Sequence, residues 1–168
     1  MGQVTVIDNF LTEKDFKKIQ DLLTNDHFPW YFNNFVTTFK DSNNLNEFQF
    51  THTFFDKLYP RSEYIEHLDP VISALNPVSL VRVKANLQTK TDKIIEWCLH
   101  TDNNPPLLCK TAIYYLNTNN GYTRFESGEK IQSKENRMII FDGDLMHAGT
   151  TTTDSKTRIL LNFNFYSG

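Results

Sequence analysis

Between Ser79 and Leu87 the chain alternates with a period of two. Val81, Val83, Ala85 and Leu87 fall on one side, and Arg82, Lys84 and Asn86 on the other. That period belongs to a strand with one packed and one polar face, and it excludes a helix over the same residues. The last segment repeats it: Arg158, Leu160, Asn162 and Asn164 share one face, and Ile159, Leu161, Phe163 and Phe165 the other. Between these lie Lys110 to Asn117, Tyr122 to Phe125, Lys130 to Ser133 and Arg137 to Phe141, short strand-like runs separated by turn residues. In the bend Thr118-Asn119-Asn120-Gly121, Gly121 is expected to supply a positive φ.

The first half reads differently. Val4 to Ile7 suits a short strand, and Thr12 with Asp15 three residues on has the form of a helix N-cap. A helix is expected from about Glu13 to Leu23, burying Phe16, Ile19, Leu22 and Leu23. Phe28 to Thr38 and Glu47 to Phe55 suit strands or extended loops, and a second helix is expected from about Ser62 to Leu75, ending before Pro77. Many short strands after one or two helices, with fourteen Phe to fill an interior, favour a mainly β, two-sheet jelly roll or barrel buttressed by N-terminal helices. A length of 168 residues suits one domain, 1–168, whose core spans about 78–166.

The net charge of -3 comes from scattered charges with no basic stripe, which argues against nucleic acid as a partner. Two cysteines, Cys98 and Cys109, are too few for a disulfide framework and suit a reducing compartment. The N-terminus lacks the features of a signal peptide and no apolar run reaches spanning length, so a cytoplasmic location away from membranes is expected.

The chemistry concentrates in His100-Thr101-Asp102, His147 and Arg158. Two imidazoles and one carboxylate are the donor set that holds non-haem Fe(II) and leaves positions open for substrate and O2. On a strand, His100 and Asp102 point to the same face, and His147 must reach them from another strand. Asp142-Gly143-Asp144 reads as the turn that starts that strand. Thr152-Thr153-Asp154-Ser155 reads as a second turn, which would join two antiparallel strands and set Arg158 nearly opposite His147. An inward-facing guanidinium needs an anionic partner, and a bound dicarboxylate would supply one through paired hydrogen bonds.

Together these residues resemble the Fe(II)/2-oxoglutarate-dependent dioxygenases, specifically their prolyl-4-hydroxylase-like branch, including uncharacterised members from marine bacteriophages. The resemblance covers roughly Leu80 to Tyr166 and extends loosely to Val4 to Leu23. Ile113-Tyr114-Tyr115-Leu116-Asn117 is similar to the strand that follows the family's metal motif, and Gly121-Tyr122-Thr123-Arg124-Phe125 is similar to its G-x-T-x-F hairpin. The family's frequent Gly-Gly is Asn120-Gly121 here.

The resemblance implies a double-stranded β-helix (jelly roll) in which His100, Asp102 and His147 hold Fe(II) as catalytic and metal residues. It assigns Arg158 and Tyr115 to the distal carboxylate of 2-oxoglutarate and Asn86 to the co-substrate pocket. The implied reaction consumes O2 and 2-oxoglutarate, releases succinate and CO2, and hydroxylates a C–H bond of a prolyl residue or a small molecule. A phage-encoded protein would act in the host cytoplasm.

Two other functions compete: a non-catalytic metal-binding jelly-roll protein and an oxidative nucleic-acid demethylase. The absent H-x-H plus Glu set disfavours a cupin-like module, and the absent basic surface disfavours the demethylase. Cys98 and Cys109 form no C-x-x-C pair for zinc, and His27, His52 and His67 have no ligand-spaced partners. No G-x-S-x-G motif or phosphate-binding glycine loop is present. Arg82, Lys84, Asn86 and the aromatic run Trp30-Tyr31-Phe32 are candidates for the cavity mouth, an entrance suited to a peptide or a compact amino-acid-like molecule. Oligomeric state is left open by the sequence.

Overall fold

The computed structural model describes residues 3–36, 45, 47–102 and 109–168. The strands are β1 (Thr5–Ile7), β2 (Tyr31–Asn33), β3 (Gln49–Asp56), β4 (Tyr59–Pro60), β5 (Ser79–Thr89), β6 (Lys110–Tyr115), β7 (Tyr122–Phe125), β8 (Lys130–Gln132), β9 (Arg137–Asp142), β10 (His147–Gly149) and β11 (Thr157–Tyr166). Eight of them form the major sheet, in the order β1-β9-β6-β11-β5-β3-β2 with β4 beside β3. The minor sheet is β10-β7-β8. Every strand pairing in both sheets is antiparallel.

Helix α1 (Glu13–Leu23) has the limits that its cap and apolar stripe predict. Thr12 Oγ1 accepts a hydrogen bond from the Asp15 amide, and Phe16, Ile19 and Leu23 are buried. The second expected helix divides into a 3-10 helix at Glu63–Leu68, capped by Ser62, and α2 (Asp69–Leu75). Pro70 explains the division: it has no N–H to donate and fits the first turn of a new helix. Asn76 ends α2 in a left-handed conformation just ahead of Pro77.

Alternation along the strands sends residues into two separate cores. On one face of the major sheet Val83, Ala85, Ala112, Tyr114, Ile159, Leu161, Phe163 and Phe165 pack with Phe16, Ile19 and Leu23 of α1 and Val71 of α2. On the other, between the sheets, Ile113, Tyr115, Ile139, Phe141 and Leu160 meet Phe125 and Ile131 of the minor sheet. The helices therefore buttress the major sheet from outside, as the sequence predicts. The polar face of β5 points toward the space between the sheets, where Lys84, Asn86 and Gln88 border a cavity. Among the described residues no helix is long and apolar enough to cross a membrane.

Candidate metal centre

Backbone pairing brings two of the three predicted ligands together. The His100 amide donates to the His147 carbonyl and the His147 amide to the His100 carbonyl, both at 3.0 Å, so the residues face each other as an antiparallel bridge. The segment before His100 runs beside β10 and its continuation: Trp97 N donates to Gly149 O, and Thr151 N to Ile95 O, each at 3.0 Å. His100 and Asp102 therefore lie on a bridge followed by a bend, and not on the continuous strand that their spacing predicts. The convergence survives this. One ligand atom from each of His100, Asp102 and His147 lies within 4.8 Å of the others.

Each candidate ligand is oriented by its neighbours. His100 Nδ1 lies 3.1 Å from the Cys98 carbonyl and His147 Nδ1 lies 3.1 Å from the Leu145 carbonyl. A carbonyl only accepts, so each Nδ1 carries a proton and Nε2 is the atom left for a metal. Burial, followed by the neighbouring His147, lowers the pKa of His100 and favours the neutral ring. Burial alone would raise the Asp102 carboxyl. The charge of the His147 ring when it is protonated, then Arg82 and the Asn164 and Asn162 amides, outweigh it and hold the carboxyl well below the usual carboxylate range. Both amides donate to Asp102 Oδ2 at 3.0 Å, while Arg82 Nη2 lies 3.4 Å from Oδ1. Two imidazole nitrogens and an oriented carboxylate fit a hard-to-borderline divalent cation such as Fe(II).

Arg158 enters the same cavity, only 2% exposed. The hairpin expected to place it opposite His147 does not form. His147 is on β10 of the minor sheet and Arg158 on β11 of the major sheet, and the two approach across the gap between the sheets. The Arg158 Nε donates to Ser133 Oγ at 2.7 Å and Nη2 to Thr123 Oγ1 at 3.2 Å. No carboxylate of a described residue forms an ion pair with it, Asp154 and Glu126 included. Burial pulls the guanidinium down from its ordinary value.

Gly121 serves this arginine in a way the sequence did not reveal. Its φ is not positive, so the predicted turn role fails. A Cβ there would instead stand 2.6 Å from Arg158 Cδ and 2.8 Å from the Thr151 carbonyl oxygen. The glycine is a channel for the arginine's stem.

Tyr115 is fully buried and its hydroxyl donates to Thr123 Oγ1 at 2.8 Å, while the Arg158 guanidinium carbon lies 5.5 Å from its ring centre. Burial raises its pKa, keeping the phenol protonated. Thr123 lines the cavity and Tyr115 does not. Asn86 also lines the cavity, and its buried Oδ1 has no hydrogen-bond partner among the described residues.

The cavity measures about 580 Å³ including its open mouth. Of the residues expected at the mouth, Lys84 and Asn86 line it, whereas Arg82 turns to Asp102. The Trp30-Tyr31-Phe32 run does not border it: Trp30 packs against the helix-side core, donating to the Leu23 carbonyl at 3.3 Å, and Tyr31 and Phe32 are exposed on the edge strand β2. Farther along the same aromatic segment Val36 lines the cavity, and residues 37–39 lie outside the described residues.

The aromatic wall comes from Trp97, whose Nε1 donates to Gln88 Oε1 at 3.0 Å. Nothing in the sequence around Trp97 marks it. Asn162 and Asn164 could have been found, because they share the inward face with Arg158. His52 is buried and structural, lying 2.8 Å from both the Pro29 carbonyl and Ser62 Oγ. Neither Cys98 nor Cys109 forms a disulfide.

No protein-family model matches the chain, and no curated protein matches it in sequence. Solved structures do match. An oxidoreductase of the 2OG-Fe(II) oxygenase family from Burkholderia pseudomallei is similar at a TM-score of 0.69 and 12% identity, covering 97% of this chain and 85% of that one. A prolyl hydroxylase from Trichoplax adhaerens, in complex with a hypoxia inducible factor oxygen degradation domain peptide fragment, is similar at 0.67 and 18% identity, covering 96% and 83%. The non-heme alpha ketoglutarate dependent epimerase SnoN from nogalamycin biosynthesis is similar at 0.69 and 11% identity, covering 99% and 77%. The chain has the jelly-roll fold of the 2OG-Fe(II) oxygenases and prolyl hydroxylases. At these identities the likeness establishes the fold alone.

Proposed function

We propose that this protein is an Fe(II)- and 2-oxoglutarate-dependent oxygenase that hydroxylates a C–H bond. One observation carries the reading: two imidazoles and an ionised carboxylate converge in a cavity that also receives a buried Arg158 with no carboxylate partner among the described residues. A metal with open positions and a fixed cation in one cavity are the two requirements for binding a 2-oxo dicarboxylate.

In this reading His100 and His147 offer Nε2 and Asp102 offers Oδ1 to the metal. When bound, Fe(II) supplies the oxidation that couples decarboxylation of 2-oxoglutarate by O2 to attack on the substrate. The chain's own residues bind and orient. Asn162 and Asn164 hold Asp102 Oδ2, which turns the other carboxylate oxygen toward the histidines. Ser133 and Thr123 fix the Arg158 fork so that its remaining Nη hydrogens face the distal carboxylate. Tyr115 supports Thr123 from behind, and Asn86 offers a polar contact to the co-substrate.

The substrate proposed is a prolyl residue or a compact small molecule. Support comes from the peptide-bound Trichoplax prolyl hydroxylase of the same fold, and the same-fold epimerase shows how far reactions differ on this scaffold. The scattered charge disfavours nucleic acid as substrate.

The test is succinate formation from 2-oxoglutarate by protein reconstituted anaerobically with Fe(II) and then exposed to O2, alone and with peptides, free amino acids and nucleotides. Succinate release that requires Fe(II) and rises with one substrate class is expected. Absence of Fe(II)-dependent succinate under every condition would replace the enzyme with a non-catalytic metal-binding jelly roll, and stimulation by nucleotides alone would point to demethylation.

A further inference from the structure

The cavity contains one cation more than the co-substrate requires. Lys84 of β5 lines it together with His100, Asp102 and Arg158. In the antiparallel register Lys84 lies opposite Asn162, whose amide holds Asp102, while Gln88 lies opposite Arg158. Four residues of strand, about 13 Å, therefore separate the Lys84 level from the Arg158 level along β5. Lys84 belongs to the metal end of the cavity, and its charge acts on Asp102 and His100. No hydrogen bond or ion pair joins its amine to a described residue, whereas the adjacent Arg82 on the same face has Asp102. Burial pushes the amine down to about 8, so it remains mostly protonated at neutral pH.

A partly buried ammonium with no counter-ion among the described residues is costly to keep and is explained by an anion that arrives with a ligand. On the proposed function, the co-substrate's two carboxylates are already matched, the distal one by Arg158 and the other by the metal. Asp102 is likewise committed to the metal and Arg82. Lys84 is then the surplus positive charge, placed where the substrate must approach. One ammonium matches a monoanion; a phosphoryl dianion would call for a second unpaired cation. The surrounding Asn86, Gln49 and Gln88 amides with Trp97 and Leu160 suit a compact molecule having both polar and apolar parts.

We propose that the substrate carries a carboxylate that Lys84 binds beside the metal, making it a small acid or a chain-terminal residue and not an internal peptide residue. This deepens the proposed function and rests on it. Lys84 is a specificity residue in this account, and the metal and co-substrate bind without it.

The experiment uses the intact protein with Mn(II) and saturating 2-oxoglutarate under anaerobic conditions, titrated calorimetrically with L-proline, N-acetyl-L-proline and a prolyl-terminated dipeptide, each paired with its amide. At least one acid is expected to bind about tenfold or more tightly than its amide, the worth of one charge-assisted hydrogen bond. Lys84→Met should erase the difference and leave 2-oxoglutarate affinity within about twofold, with Lys84→Arg restoring part of it. Equal binding of acids and amides, or no binding of either, overturns the proposal, as does discrimination that persists in Lys84→Met. A loss of 2-oxoglutarate affinity in Lys84→Met reassigns the lysine to the co-substrate and also overturns it. Failure of 2-oxoglutarate to bind the wild-type Mn(II) protein counts instead against the oxygenase reading, so the two failures are distinct.

Discussion

The two faces of β11 use the same backbone for opposite purposes. Ile159, Leu161, Phe163 and Phe165 face the helices in a dry core, while Arg158, Asn162 and Asn164 face the gap between the sheets. The first face buries apolar area, which drives folding. The second is just as buried but spends hydrogen bonds to hold a carboxylate and a guanidinium in place, and it leaves Asn162 Oδ1 and Asn164 Oδ1 without partners among the described residues. A buried polar face of that kind adds little net stability and leaves acceptors unmatched. Stability should therefore reside on one face and activity on the other.

Substitutions can break that division or sharpen it. The largest effect expected is at the metal. His147→Ala should remove Fe(II) binding and lower succinate formation by about a thousandfold or more, because metal and co-substrate chelation are lost together. Its metal-free melting temperature should fall less than that of a helix-face variant; full activity would end the ligand assignment.

On the dry face, Phe163→Ala should cost about 3 to 5 kcal/mol in denaturant unfolding, the usual penalty for emptying an aromatic site in a packed core. The folded fraction should keep a near-normal KM for 2-oxoglutarate. A specific loss of co-substrate affinity there would show that the faces are coupled.

Arg158→Ala should raise the 2-oxoglutarate KM about thirtyfold or more, given about 2 to 5 kcal/mol for one partner of a buried charged pair. Metal affinity measured without co-substrate should hardly change. The metal-free variant should be no less stable than wild type, because the buried charge it loses has no carboxylate partner among the described residues.

Gly121→Ala tests the channel. Its Cβ would collide with Arg158 Cδ and a backbone carbonyl, so the arginine must shift. An increase of about threefold to tenfold in the same KM is expected, with about 1 to 3 kcal/mol lost from stability by overpacking. Smallest of all, Tyr115→Phe removes one neutral hydrogen bond to Thr123, worth about 1 kcal/mol, and should raise the KM by about fivefold. A change as large as that of Arg158→Ala would mean that the Tyr115 hydroxyl contacts the co-substrate directly.

Legibility followed the range of the interactions involved. Helix α1 was readable to its ends because its cap and stripe lie within one short segment. The inward set Arg158, Leu160, Asn162 and Asn164 was readable because strand alternation is local. Pro70 divided the second helix through local chemistry too, although the periodic pattern concealed the break.

By itself the sequence picked out the candidate donor set His100, Asp102 and His147, the two-faced strands, and a jelly roll with outer helices. Residue type, spacing and period carry these. Only the tertiary structure decided the rest: that His100 and His147 bridge through their backbones, that Arg158 meets them from the opposite sheet and not across a hairpin, and that Gly121 serves closeness and not positive φ. It also decided that Trp97 supplies the wall expected of Trp30, Tyr31 and Phe32, and that among the described residues Arg82 has an ion-pair partner while Lys84 has none. Each of these depends on which distant segments pack against one another. Sequence spacing does not encode that, because sheet pairing and closure bring together residues whose local patterns are independent.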